Sequence, residues 1–320
     1  MPDIRFIRFR ATGRSHSNLQ KADEKLDLLP SSTILFMTDP EKRGSMSSDD
    51  AGTVLSSPSK AQSFWNYLNT EVEPKECTGP LAAFCFMTGF IDAISFSSVF
   101  VWCGFQTGNF VQLSLALARL FSVGPGGAVD RTFHKADQQA LTSLLAFNVG
   151  AFVGRLGDRI GSHKRIWLVF GTFLQTLFTM AAALTIWKAG QPSVADDRGD
   201  PSWTNVLSFV CLAFMSMSLG TQGIIGKRLN TQFTTTIVLT TVWVELMADP
   251  GLFHRKKVIT RDHKLIAASS LFIGGFVSRA ILDKVGSAGA LGVGTGVRLL
   301  ITLSWLLVPG KKAPVSKSAK

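Results

Sequence analysis

Between residues 81 and 309 the chain is a close succession of apolar runs, and this restricts it more than any other feature. The runs cover 81–102, 107–121, 140–157 and 166–187, then 203–225, 234–248, 264–282 and 288–309. A polar link, KAGQPSVADDRGDP (188–201), separates the first four from the last four. A helix that crosses a bilayer needs about 20 predominantly apolar residues. In lipid every backbone N–H and C=O must be satisfied inside the protein, which leaves helices or closed barrels. These runs are too long for barrel strands. The expected fold is therefore all-α, a polytopic transmembrane helix bundle. A mean hydropathy of +0.24 and a hydrophobic share of 46% agree with that class.

The two sets of runs resemble each other. GAFVGR (150–155) is similar to GGFVSR (274–279), and GTFLQTLFT (171–179) to GTGVRLLIT (294–302). Two agreements in the same order predict two related halves, as in many membrane transporters. The second and sixth runs are short. If both cross, the bundle has eight spans and parallel repeats; if both dip in and return, it has six spans and inverted repeats. Either count leaves both termini on one side, and the basic tails put that side in the cytoplasm. The cluster HRKK (254–257) is cytoplasmic either way. RIGSHKR (159–165) changes side between the two counts, so it discriminates them.

The expected organisation is a disordered cytoplasmic tail (1–76), a first membrane repeat (77–187), a polar linker (188–202), a second repeat (203–309) and a basic cytoplasmic tail (310–320). RFIRFR (5–10) with Arg14 faintly resembles a transit peptide, although Asp3 and the lack of an amphipathic helix count against it. The net charge of +11 is concentrated in tails and links, which suits anionic lipid headgroups. Without zinc-finger spacing or an aromatic–basic face, nucleic acid is not an expected partner. Cys77, Cys85, Cys103 and Cys211 form no CxxC pair and read as small buried hydrophobes. The five histidines lie outside the apolar runs, no pair has metal-ligand spacing, and no nucleophile elbow occurs. No cofactor, metal or enzymatic activity is expected.

The candidate site residues are polar groups inside the apolar runs. Thr88, Asp92 and Ser95 share one helix face at i, i+4 and i+7. An acid near mid-bilayer costs at least ~2.5–3.5 kcal/mol, so Asp92 should face protein or water. It reads either as a proton- or ion-coupling carboxylate or as a structural acid bonded across helices. Glu245 and Arg298 are the other charges within runs. Arg298 is a possible partner for Asp92 or Glu245, and Glu245 could instead reach the headgroups. Gln106, Thr107, Gly108 and Asn109 open the second run, where a helix N-terminus would suit an anion or polar solute. Thr240 and Thr241 stand at the matching place of the sixth run. Ser218 and Gln222 share a face in a glycine-rich stretch suited to close helix packing. GVGTG (292–296) lacks the order and the strand–turn–helix setting of a nucleotide-binding loop.

GFIDAISF, followed by VFVWCGFQTGNFVQLSLAL, resembles the YoaK-type family of uncharacterised membrane proteins (domain of unknown function 1275). Gly89, Asp92 and Ala93 match its Gly-x-x-Asp-Ala element. Thr107, Gly108 and Asn109 match its Thr-Gly-Asn element, and Gly220 with Gln222 its later Gly-x-Gln element. The family's second Thr-Gly element is Thr240–Thr241 here. The resemblance covers residues 80–308 and implies a multi-pass membrane protein with no assigned substrate. The leading expectation is a secondary transporter or channel-like carrier of a small polar or anionic solute, with Asp92 coupling protons. The alternative is a membrane scaffold with no solute path. The bilayer is the expected partner, and homo-oligomerisation is left open.

Overall fold

A computed structural model describes residues 59–123, 127–197, 202–231, 236–237 and 239–311. Most of the expected N-terminal tail, the transit-like segment and most of the C-terminal tail lie outside the described residues. The described chain belongs to one compact unit. Among these residues it is all-helical, with a few isolated bridges and no strand.

The helices are α1 (Lys60–Leu68), α2 (Thr78–Val99), α3 (Gln106–Arg119), α4 (Lys135–Gly154), α5 (Leu156–Ile160), α6 (Arg165–Ala189), α7 (Val206–Leu229), α8 (Leu239–Met247) and α9 (Ile259–Ser304). By length and composition five are apolar enough to cross a membrane: α2, α4 with α5, α6, α7 and α9. Their outer surfaces carry Phe152, Phe272, Phe276 and Leu300, large apolar groups suited to lipid. α9 is broken at Gly286 (φ 69°, ψ 178°) into arms 259–285 and 287–304. That backbone geometry is open to glycine and costly for any other residue. Local chemistry sets other ends: the Asn205 side chain caps the start of α7 by accepting from Ser208 N–H, and Gly190 in the left-handed region closes α6.

Hydrogen bonds sort the helix ends into two faces. On the first face Val72 N–H donates to His163 O, Glu73 N–H to Pro309 O and Lys311 N–H to Glu71 O. On the second, Ala195 N–H donates to Ser97 O, Ser98 to Ser193 O, Gln139 to Trp203 O and Ser287 N–H to Ser193 Oγ. α2, α6 and the first arm of α9 therefore run from the first face to the second. α4, α7 and the second arm of α9 run back. Residues 159–165 lie on the first face with the start of α2. The start of α9, which follows HRKK, joins them there: one vestibule is lined by Glu73, Lys75, Asn230, Glu245, Ile259 and His263.

Residues 60–76 correct the expectation of a structureless tail. α1 and an extended strap are tied down by Arg165, whose side chain is fully buried. Its guanidinium donates to Tyr67 O (2.9 Å), Val308 O (2.6 Å), Trp305 O (3.3 Å) and the Thr70 hydroxyl, and stacks 3.9 Å from the Tyr67 ring centre. A sequence window cannot reveal this, because the strap's partners lie about 100 and 240 residues away. Arg165→Ala leaves several carbonyls unpaired and should cost about 3 kcal/mol or more. Limited proteolysis should then cut within 60–76 in the variant well before wild type, and Arg165→Lys should not restore protection. Equal cutting rates would refute the anchoring role.

Two helix pairs approach to backbone contact. In α2 against the first arm of α9, a Cβ at Gly89 would overlap the carbonyl oxygen of Leu271, and one at Gly274 that of Phe86. In α4 against α7, a Cβ at Gly150 would overlap Met217 O, and one at Gly220 Phe147 O. Hydroxyls bridge the same seams: Ser278 donates to Phe90 O (2.7 Å) and Thr221 to Gly150 O (2.9 Å). Lipid gives helices no hydrophobic reason to associate, so small residues and interhelical hydrogen bonds do that work.

Candidate functional site

Two segments turn back into the bundle. The first begins where α2 ends at Phe100, in the left-handed region (φ 55°), its N–H donating to Phe96 O and its ring in edge contact with that of Phe96. The chain then descends until the Cys103 and Gly104 N–H groups each donate to Asp92 Oδ1 at 2.8 Å. Asp92 lies about two helical turns below the end of α2, so this tip sits deep among the helices. α3 carries the chain back out, where Arg119 in its last turn pairs with Asp137 in the first turn of α4.

Residues 102–109 are knitted from within. Asn109, 1% exposed, exchanges bonds with Trp102, its Nδ2 donating to Trp102 O (2.6 Å) and its Oδ1 accepting from Trp102 N–H (3.3 Å). Gln106 Nε2 donates to Cys103 O (2.7 Å). Ser143 of α4 accepts from both side chains at 3.1 Å, donates to Trp102 O (2.8 Å) and meets Ser216 of α7 at 2.9 Å. Gln106 and Asn109 are thus bonded inward, to the loop and α4. A Cβ at Gly108 would crowd the rings of Phe105 (3.1 Å) and Trp102 (3.3 Å). Thr107 is exposed.

The second segment follows α7, which ends at Asn230 in the left-handed region (φ 48°). By Thr236 the chain has returned to the level of Thr88, whose hydroxyl donates to Thr236 O at 2.9 Å. Gln222 Nε2 donates to Thr88 Oγ1 (2.8 Å) and Phe84 O (3.0 Å). The side chains of Thr236 and Ile237 cover Gly226 and Gly223. α8 then leads back to the first face, where Lys264 pairs with Glu245 (3.6 Å). Thr88 and Asp92, one turn apart on α2, therefore hold the tips of both segments. Ser95, the third member of their stripe, is fully buried and donates to Asp92 O.

A cavity of about 350 Å³ lies where the tips converge, lined by Gly104, Gln106 and Thr107 from one and Thr236 and Ile237 from the other, with Lys227 of α7 beside them. Thr236 Oγ1 and Gln222 Oε1 are buried without a hydrogen-bond partner among the described residues. Among those residues no acid lines the cavity, although Asp92 Oδ2 stands directly beside Gly104.

Several sequence expectations need correcting. Arg298, fully buried, pairs with neither Asp92 nor Glu245: it donates to Gln175 Oε1 and, at 3.4 Å, to Ser218 Oγ. The reason is packing. The second arm of α9 lies on α6, while Asp92 Oδ1 is occupied by loop amides and Glu245 by Lys264. Thr240 and Thr241 are exposed in the first turn of α8, and Thr236 and Ile237 reach the cavity instead. Ser143, Gln175, Lys227 and Thr236 were missed. Gln175 alone had a signal, since it aligns with Arg298 in the repeated GTFLQTLFT and GTGVRLLIT segments. All four cysteines are free and buried, as expected of small hydrophobes.

Long apolar helices, lipid-suited outer surfaces and polar groups gathered inside define a multi-pass helical membrane protein. The chain belongs to the family described as protein of unknown function (DUF1275), whose profile matches residues 81–304. No curated protein and no solved structure matches it.

Proposed function

We propose that this protein is a transporter or channel-like carrier of a small polar or anionic solute, built from two inverted halves that each supply one re-entrant segment. Six crossings, α2, α4–α5, α6, α7 and the two arms of α9, then enclose the two short helices α3 and α8. Contact register supports the repeat. Gly89 to Gly220 and Phe86 to Met217 are each 131 residues apart, and Gly150 to Gly274 and Phe147 to Leu271 are each 124 apart. The two glycine seams are thus one contact made twice, between partners exchanged across the halves. Gln175 and Arg298, at matching places in the repeated motifs, touch each other, as residues on a pseudo-two-fold axis would. α2 and α7 run oppositely, which makes the repeat inverted and the axis parallel to the membrane plane.

The observation that carries the functional reading is the cavity between the two tips. Irregular backbone at membrane depth is tolerated where it is buried in protein or lines a polar cavity, and broken helices at matching places mark solute sites. A scaffold has no need of an open cavity there with Gln106, Thr107 and Lys227 in its lining. Both basic clusters that frame the spans, 159–165 and 254–257, belong to the first face, which supports a cytoplasmic placement for that face and both termini. Asp92 would serve as the coupling group: one oxygen holds the loop, and the other is placed to take a proton. The test is flux into proteoliposomes of a panel of small neutral, cationic and anionic solutes. Flux above protein-free vesicles for any class supports the reading, and flux for none would sink it in favour of the scaffold.

A further inference from the structure

Resting on the transport reading, the geometry points to one solute class. We propose that the cavity takes a short-chain monocarboxylate, with Lys227 selecting its charge and the hydroxyls of Thr107 and Thr236 receiving its oxygens.

Three independent features converge. Lys227 is the one charged residue among the described residues of the lining. Thr236 lines the same space, and its Oγ1, packed against Gly226, is buried with no hydrogen-bond partner among the described residues. A hydroxyl left so deep within a membrane protein has a donor to offer a ligand. The tip also delivers the N-terminus of α3, a 14-residue helix that no side chain caps, so its first-turn N–H groups carry positive potential. The wider interior leans the same way, because Arg298 is fully buried and, among the described residues, has no carboxylate partner and an unpartnered Nε. Ser218, which it contacts, is one turn from Gln222 on α7. Asp92 is the opposing charge, and two backbone N–H groups already face it.

Size and wall chemistry narrow the anion further. The remaining walls include Phe105, Phe147, Ile224 and Ile237. A single cation with aromatic and branched aliphatic surface fits a ligand that has one negative end and a short apolar body. It does not fit a doubly charged oxyanion, which would leave a charge unmatched, or a halide, which would leave the apolar wall unused.

The test is proteoliposome uptake of butyrate beside butyramide, chloride and ammonium, for wild type, Lys227→Gln and Lys227→Arg. Lys227 is exposed, so both variants should fold, and their unfolding temperatures check this. The expected result is butyrate uptake well above the other three solutes, falling about tenfold or more in Lys227→Gln and recovering in Lys227→Arg. Butyramide, ammonium or chloride carried as fast as butyrate, or butyrate uptake unchanged in Lys227→Gln, would overturn the proposal while leaving a transporter. Uptake of none of the four, with none in the wider panel, would overturn the transport reading itself.

Discussion

Replacing Gly150 by alanine should destabilise the protein by about 3 kcal/mol or more, a large effect for one added methyl group. The Cβ would fall on Met217 O and against the Met217 Cα, atoms of the opposing helix backbone that no rotamer change can move. α4 and α7 would have to separate, giving up the Thr221 bond to Gly150 O and the packing along the seam. Gly220→Ala, Gly89→Ala and Gly274→Ala should behave alike, because each faces a carbonyl in the same way. Gly292 and Gly296 are the matched controls: both lie in α9, and a Cβ at either meets nothing within 4 Å. Alanine there should alter stability by no more than about 1 kcal/mol, and favourably. Thermal unfolding in detergent measures the contrast. If Gly150→Ala and Gly292→Ala melt together, the backbone-to-backbone seam is wrong.

At Asp92, alanine and asparagine should separate fold from function. Asp92→Ala leaves the Cys103 and Gly104 N–H groups buried and unpaired, at about 1–3 kcal/mol each, and should release the loop that carries them. Asp92→Asn keeps an oxygen in the same place, so both bonds survive in neutral form and about 1 kcal/mol or so is lost. The asparagine variant should therefore melt near wild type but carry solute without the pH dependence expected of proton coupling. Unfolding temperature and flux between pH 5 and 8 give the two readouts. Full pH-dependent flux in Asp92→Asn would remove Asp92 from coupling. A wild-type melting temperature in Asp92→Ala would remove it from holding the loop.

Much of the architecture was legible in the order of residues. The apolar runs anticipated the long helices to within a few residues, for instance 166–187 against Arg165–Ala189. The stripe of Thr88, Asp92 and Ser95 is buried on one face of α2, as its spacing requires. The short runs at 107–121 and 234–248 became α3 and α8, too short to span. What stayed hidden was partnership. The donors to Asp92 are backbone N–H groups, which carry no residue identity. Thr236 is one threonine in a row of three, and nothing local marks it as buried. Lys227 reads as a basic residue ending a helix, which it also is.

The sequence by itself determined the material of this protein: apolar segments whose lengths match a bilayer, polar residues placed one and two turns apart on a single face, and glycines at recurring steps. Those properties are periodic and local, so they follow from helix geometry and the solvent alone. Only the tertiary structure decided which charges meet. Arg298 went to Gln175, Asp92 to its own loop and Glu245 to Lys264, because each choice depends on which helices lie side by side after α9 breaks at Gly286. Close approach at four glycines fixes those neighbours. It does so through backbone shape, to which side-chain chemistry read along the chain is blind.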